Sequence, residues 1–329
     1  MLKWGYAFAA AGVATLSTTP AHSYESSSAV AMPGLFIGTA AAAPPPGIYG
    51  FDRASTLQSN IAGPVTKVIG DNTGLQVGAI THGFVFVPGW TFLGATYDAA
   101  IAVPLQMQSV GSPVNVQSSG MYNTYIAPFE LSWKLGDSGF FAKVGLGMYV
   151  PDGTQTGIAK LSNVGDPYWT FMPQLSLSYL KNGWNLTANL YNEMNTANSV
   201  TGYTTGDIFH VDLTATKQID KWTIGPVAYY VGQVTGDKSS AFYNYKILNA
   251  NRYDRVAVGA LLGYDFGPAQ VQVWATEQVY TATSGATSGG PINLSSVPNG
   301  FSVAATLRYR LWAPDQETTP SEKRPFFIK

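Results

Sequence analysis

The stretch TFMPQLSLSYLKNGWNLTANL, residues 170–190, alternates apolar and polar side chains on both sides of one short turn. Leu175, Leu177 and Tyr179 interleave with Gln174, Ser176 and Ser178. After Lys181-Asn182-Gly183, Trp184, Leu186, Ala188 and Leu190 interleave with Asn185, Thr187 and Asn189. Successive side chains of a strand point to opposite faces, so this stretch predicts an antiparallel hairpin with one apolar and one polar face. The same period recurs along the chain, as expected for a wall that separates lipid from a hydrated interior.

Composition narrows the choice. Only 11% of the 329 residues are charged, well below the ~25% of ordinary soluble domains. Mean hydropathy is nonetheless close to zero, and no run past the N-terminus approaches the ~20 apolar residues a spanning helix needs. Together with 13% aromatic residues, these features predict an all-β chain, an antiparallel transmembrane β-barrel with an apolar exterior and a polar interior. A soluble β-sandwich or β-helix is the competing reading, but it would carry more charge. A net charge of −1 offers no basic field for nucleic acid. With no cysteine present, disulfides, thiol nucleophiles and thiolate metal sites are excluded.

Lys3, the apolar stretch 4–14 and Thr19-Pro20-Ala21-His22-Ser23 read as a secretory signal peptide, residues 1–23. Cleavage after Ala21 and cleavage after Ser23 fit equally well. Residues 24–46 follow as a Ser/Ala/Gly-rich segment ending in Pro44-Pro45-Pro46. This segment is compatible with a short plug in the lumen or with a periplasmic extension.

Strands are predicted at about 48–58, 74–88, 91–109, 121–136, 139–151, 168–181, 183–195, 207–219, 221–236, 253–266, 269–282 and 300–312. That makes about twelve, with fourteen as the alternative count; single-chain bacterial outer-membrane barrels have an even number. The barrel spans 47–312 and a polar tail covers 313–329. Short turns such as Gly136-Asp137-Ser138-Gly139, Lys181-Asn182-Gly183, Asp220-Lys221 and Gly267-Pro268 alternate with long loops. Alternation of this kind is expected when short turns face the periplasm and long loops the exterior. Trp90, Phe92, Trp133, Phe140, Tyr168, Trp169, Trp184 and Trp222 lie near predicted strand ends, where aromatic girdles belong.

The run DPYWTFMPQLSLSYLKNGWNLTANLYNEMNT, followed by TGDIFHVDLTATKQI and WTIGPVAYYVGQVTGDK, resembles an outer-membrane β-barrel family labelled "putative meta-pathway of phenol degradation". PPPGIY before the first strand, VPDGT after the fifth and NRYDRVAVGALLGYDFG add to the likeness, which covers about residues 44–312. The resemblance implies a bacterial outer-membrane channel for passive uptake of small hydrophobic or aromatic, phenol-like compounds. Its partners would be membrane lipid, the solute and the outer-membrane assembly machinery. Two features depart from the family pattern. The fourth strand lacks the usual Gly-x-Gly-Asp start, and Leu311 stands where a terminal aromatic is customary.

If the apolar rows face lipid, strand parity turns Asp98, Glu130, Lys134, Lys143, His210, Asp212, Asp265, Arg308 and Arg310 inward. Rings of such charge can select solutes, and Arg308 with Arg310 offers an electropositive lining with Asp98 and Glu130 as acidic partners. An ordinary salt-bridged interior is the alternative. Phe141, Tyr149 and Trp274 share the polar-face parity and are candidates for an aromatic conduit. Tyr229 is a further candidate on a strand whose two faces both read as apolar. A structural or adhesive barrel acting through its long loops is the alternative function, and a barrel lipid hydrolase is a weaker one. His210 and Asp212 would need a positioned serine, and no G-x-S-x-G elbow is present. The reading is therefore of a non-enzyme without cofactor or metal.

Overall fold

The computed structural model describes residues 29–158, 160–247, 252–284 and 296–314. The signal-peptide assignment and most of the C-terminal tail lie outside them.

Fourteen strands form one antiparallel sheet. They are β1 (Gly47–Ala62), β2 (Gly74–Val87), β3 (Thr91–Phe92), β4 (Ala95–Val110), β5 (Val116–Met121), β6 (Tyr125–Lys134) and β7 (Phe140–Tyr149), followed by β8 (Thr170–Tyr179), β9 (Trp184–Asn195), β10 (Ile208–Ile219), β11 (Trp222–Gln233), β12 (Arg252–Asp265), β13 (Ala269–Ser284) and β14 (Val297–Trp312). Twelve of them close a barrel: β1 pairs β14 on one side and β2 on the other, and β2 pairs β4. The other two are short additions. β3 folds back on β4 through Leu93-Gly94, and β5 pairs the far end of β4.

Each predicted strand has a counterpart among the twelve. The predicted segment 91–109 contains the β3–β4 hairpin, because Leu93 (φ 49°) and Gly94 (φ 77°) both adopt the left-handed conformation of a tight two-residue turn. The predicted segment 121–136 loses its first residues for a different reason. Asn123 exchanges hydrogen bonds with the Asp166 backbone, and Asp152 accepts from Thr124 N, so this stretch belongs to the loops. In the 170–190 hairpin, Asn182 (φ 55°) and Gly183 (φ 75°) make the turn.

Parity is as read from the sequence. Leu175, Leu177 and Leu186 are exposed on the outer wall, whereas Ser176, Ser178, Asn185, Thr187 and Asn189 are buried inside. The outer row of β14, from Phe301 to Leu311, is likewise exposed at both ends. Trp90, Phe92, Phe140, Trp169, Trp184 and Trp222 are exposed near strand ends. Tyr168 is not part of that girdle; it is 5% exposed and packs inside with Tyr149, Met172 and Tyr191.

β1 departs from the apolar-out rule. Ala54, Thr56, Gln58 and Asn60 form its exposed row, and Leu57 points the other way, into the lumen. On the same outer face Asp52 lies beside His82 (2.5 Å) and accepts from the Tyr309 hydroxyl (3.1 Å).

Closure leaves little room for side chains at tight crossings. A Cβ on Gly259 of β12 would stand 1.8 Å from the Ala275 carbonyl of β13, whereas one on Gly74 would meet nothing within 4 Å. Backbone cannot move aside as a flexible side chain can. Gly259→Ala should therefore lower the yield of folded barrel and Gly74→Ala should not, as scored by heat-modifiable gel migration; equal yields would contradict the packing.

Candidate functional site

The lumen is occupied by the chain's own N-terminal segment, residues 29–46. Its path can be followed by what holds it. Glu193, near the long-loop end of β9, accepts from Val30 N and Ala31 N, both at 2.9 Å. Further down, Asp212 accepts from Phe36 N (2.8 Å) and Thr214 from Gly38 N (2.9 Å). At the short-turn end of β8, Ser178 accepts from Ala41 N (2.8 Å). The segment therefore descends the barrel along β8–β10 before entering β1. From the opposite wall Arg53 donates to Leu35 O (2.7 Å) and to Thr306 Oγ1 (3.0 Å), with its guanidinium 5.1 Å over the Trp274 ring.

An unpaired backbone N–H in a lumen shut off from water is costly. The segment has no strand partner, so side chains of the wall supply the acceptors. Apolar contacts add to this. Ile37 is fully buried with Ile208, Tyr229, Leu261 and Trp274, and Val30 and Ala31 with Tyr149, Met172 and Tyr191. Phe36 meets Tyr191 edge-on at 5.1 Å. Gly38 (φ 76°) is pressed against the wall, where a Cβ would lie 2.4 Å from Gln272 Oε1.

The predicted lumen residues separate into two groups. Asp98, Glu130, Lys143, His210, Asp212 and Arg308 are buried inside, as are Tyr149, Tyr229 and Trp274. Lys143 donates to Asp98 at 3.1 Å, forming a buried ion pair. His210 Nε2 lies 2.8 Å from Glu193 Oε1 and its ring stacks on Tyr191 at 4.4 Å. The barrel-hydrolase arrangement is thus not assembled: the group facing His210 is Glu193, and Asp212 is engaged by Phe36 N and by the Tyr191 hydroxyl (3.0 Å).

The second group sits at the rim. Lys134 is exposed and bonds Asp137 of its own turn (3.1 Å). Asp265 accepts from Gly267 N (2.7 Å) and so caps the β12–β13 turn. Phe141 is half-buried and Arg310 is exposed at the same end. Parity places these four on the inner row, but the strands run past the end of the enclosed lumen. Arg308 and Arg310 do not form one lining: Arg308 is 1% exposed and donates to Gln272 (2.5 Å).

Glu193, Tyr191, Arg53 and Arg255 are inward residues that the sequence reading did not single out. The row Asn185-Thr187-Asn189 extends to Tyr191 and Glu193 by simple alternation, so the signal was available for those two. It was not for Arg53, because neither row of β1 is uniformly polar or apolar.

Beside the segment lies a cavity of about 290 Å³, lined on the wall by Leu57, Leu75, Val77, Ala79, Val85 and Ala102, among others. An engineered apolar cavity of ~150 Å³ accommodates benzene, so this volume suits a substituted aromatic ring. Among the described residues no group of three or more His, Cys, Asp or Glu could hold a metal ion.

Residues 52–294 match the family described as "Putative MetA-pathway of phenol degradation". The chain belongs to this family. It is a bacterial outer-membrane β-barrel with the architecture of a channel. Among solved structures, an outer membrane channel from Pseudomonas putida F1 is similar over 85% of this chain and 99% of its own, with a TM-score of 0.68 at 12% identity. The β domain of the Bordetella autotransporter BrkA (TM-score 0.44, 14% identity, 80% of this chain and 100% of that one) and a Pseudomonas aeruginosa FadL homologue (0.44, 9%, 80% and 90%) share only the general barrel form. No curated protein sequence matches the chain.

Two variants test the lumen's electrostatics. Lys143→Met would remove the buried cation paired with Asp98, a loss of about 3–5 kcal/mol for a broken buried pair, whereas Lys143→Met with Asp98→Leu should recover most of it in urea unfolding from lipid. Glu193→Ala removes two charge-assisted bonds to the segment, each worth about 1.5–3 kcal/mol. The expected outcome is a higher single-channel conductance and cleavage of residues 29–43 by added protease, with the barrel intact.

Proposed function

We propose that the barrel carries small hydrophobic or aromatic compounds passively across the outer membrane, along the inner wall of β1, β2 and β4 beside the N-terminal segment. The observation that carries this reading is the character of that wall. Ordinary hydrophilic pores are polar inside, yet here Leu57, Leu75, Val77, Ala79 and Val85 turn inward and Thr56, Gln58 and Asn60 outward. Ser55, Thr81, Gln106 and Gln108 also line this side, but its apolar surface stabilises a hydrocarbon by about 25 cal/mol per Å² removed from water. The polar inner rows of β8–β10 are in large part engaged in holding the segment.

Passive transfer needs no cofactor or energy source, and the family's association with phenol degradation agrees with aromatic cargo. Proteoliposomes should take up phenol or toluene derivatives faster than protein-free vesicles, with little swelling in arabinose. Ala102→Trp, which fills the cavity from a position 6% exposed, should abolish most of the difference. Uptake of arabinose equal to that of the aromatics would overturn the reading.

A further inference from the structure

The cavity has one charged end. Where it passes beneath β11–β14 it is lined by Arg255, Tyr229, Gln278 and Ser302. Arg255 is 2% exposed and its Nε has no hydrogen-bond partner. Its guanidinium makes a cation–π contact with Tyr253, 5.5 Å from the ring centre. None of the four ion pairs among the described residues includes it.

The other charged groups that line the cavity are already engaged or distant. Arg53 donates to Leu35 O and Thr306, and Lys143 is paired with Asp98. Asp166 accepts from Tyr122, and Glu130 sits on β6, six places from β12 around the twelve-strand ring. Neither carboxylate that lines the cavity, Glu130 or Asp166, lies on β11–β14.

A guanidinium is always charged and carries five N–H donors in a planar fork matched to a carboxylate. Beside Arg255 the Tyr253 hydroxyl is a neutral partner and Nε is left unpaired; burial of the charge is costly, and an anion arriving from the cavity would relieve that cost. On β1 and β2 the cavity wall is mainly apolar, through Leu57, Leu75, Val77, Ala79 and Val85. We infer that the cavity takes an amphiphilic monocarboxylate, with the carboxylate on Arg255 and an aromatic or short alkyl body against Leu57, Leu75 and Val77. This rests on the uptake reading above and narrows its cargo class.

The test uses the full-length protein in nanodiscs with 4-butylbenzoate and its neutral isostere 4-butylbenzamide, titrated calorimetrically at pH 7.5. The benzoate should bind about tenfold tighter or better, as a charge-assisted bidentate pair outweighs a neutral hydrogen bond. Arg255→Gln should bring the ratio close to one while leaving benzamide affinity unchanged, and Arg255→Lys should keep part of the preference. Heat-modifiable migration establishes that each variant is folded. Equal binding of the two compounds to the native protein, or a preference that survives Arg255→Gln, overturns the inference. If neither compound binds but toluene still enters proteoliposomes, the carboxylate site fails and hydrophobic uptake stands. If none of the three enters or binds, the uptake reading fails as well.

Discussion

A backbone in hydrocarbon must satisfy its own hydrogen bonds, and the pairing of β1 with β14 is what allows this chain to do so. Without that seam the sheet would present two open edges to lipid, each unpaired group costing several kcal/mol. With it, register is continuous from Tyr49 opposite Arg310 to Ala62 opposite Val297, after a shift between Ile48 and Tyr49, and the direction of each side chain follows. On β8 and β9 the leucines go outward, while Ser176, Ser178, Asn185, Thr187 and Asn189 go inward.

Closure at twelve strands then raises a second requirement. A twelve-strand lumen is wider than that of the eight-strand barrels which wall side chains can fill by themselves. The N-terminal segment resolves this by lying inside, and the polar inner rows of β8, β9 and β10 become its hydrogen-bonding partners. Ser178, Thr214, Asp212 and Glu193 accept from its backbone where a neighbouring strand would otherwise have done so. The opposite wall, apolar on β2 and the middle of β1, is left facing a cavity. The division of the lumen into a holding side and an open side is a consequence of where the segment docks.

Much of the architecture was legible because period-two alternation is local. The 170–190 hairpin, the twelve barrel strands and the inward direction of Asp98, Lys143, His210, Asp212 and Arg308 follow from spacing alone. Depth along the barrel axis does not. Lys134, Asp265 and Arg310 have inward parity yet sit at the rim, because parity assigns a face and contains no information about height. Pairing was equally hidden: Lys143 meets Asp98 across 45 residues of sequence, and His210 meets Glu193, which no local pattern connects.

The sequence by itself determined most of the wall: the alternation that separates its two faces on most strands, about twelve crossings, and the lack of any thiol. Only the tertiary structure decided the content of the lumen. Residues 29–46 carry no periodicity, since a segment without a strand partner has no alternation to display, and its position depends on carboxylates and hydroxyls more than a hundred residues away. The same contacts decide that one side of the lumen is filled and the other open, and that Arg255 ends up lining the open side with its Nε unpaired.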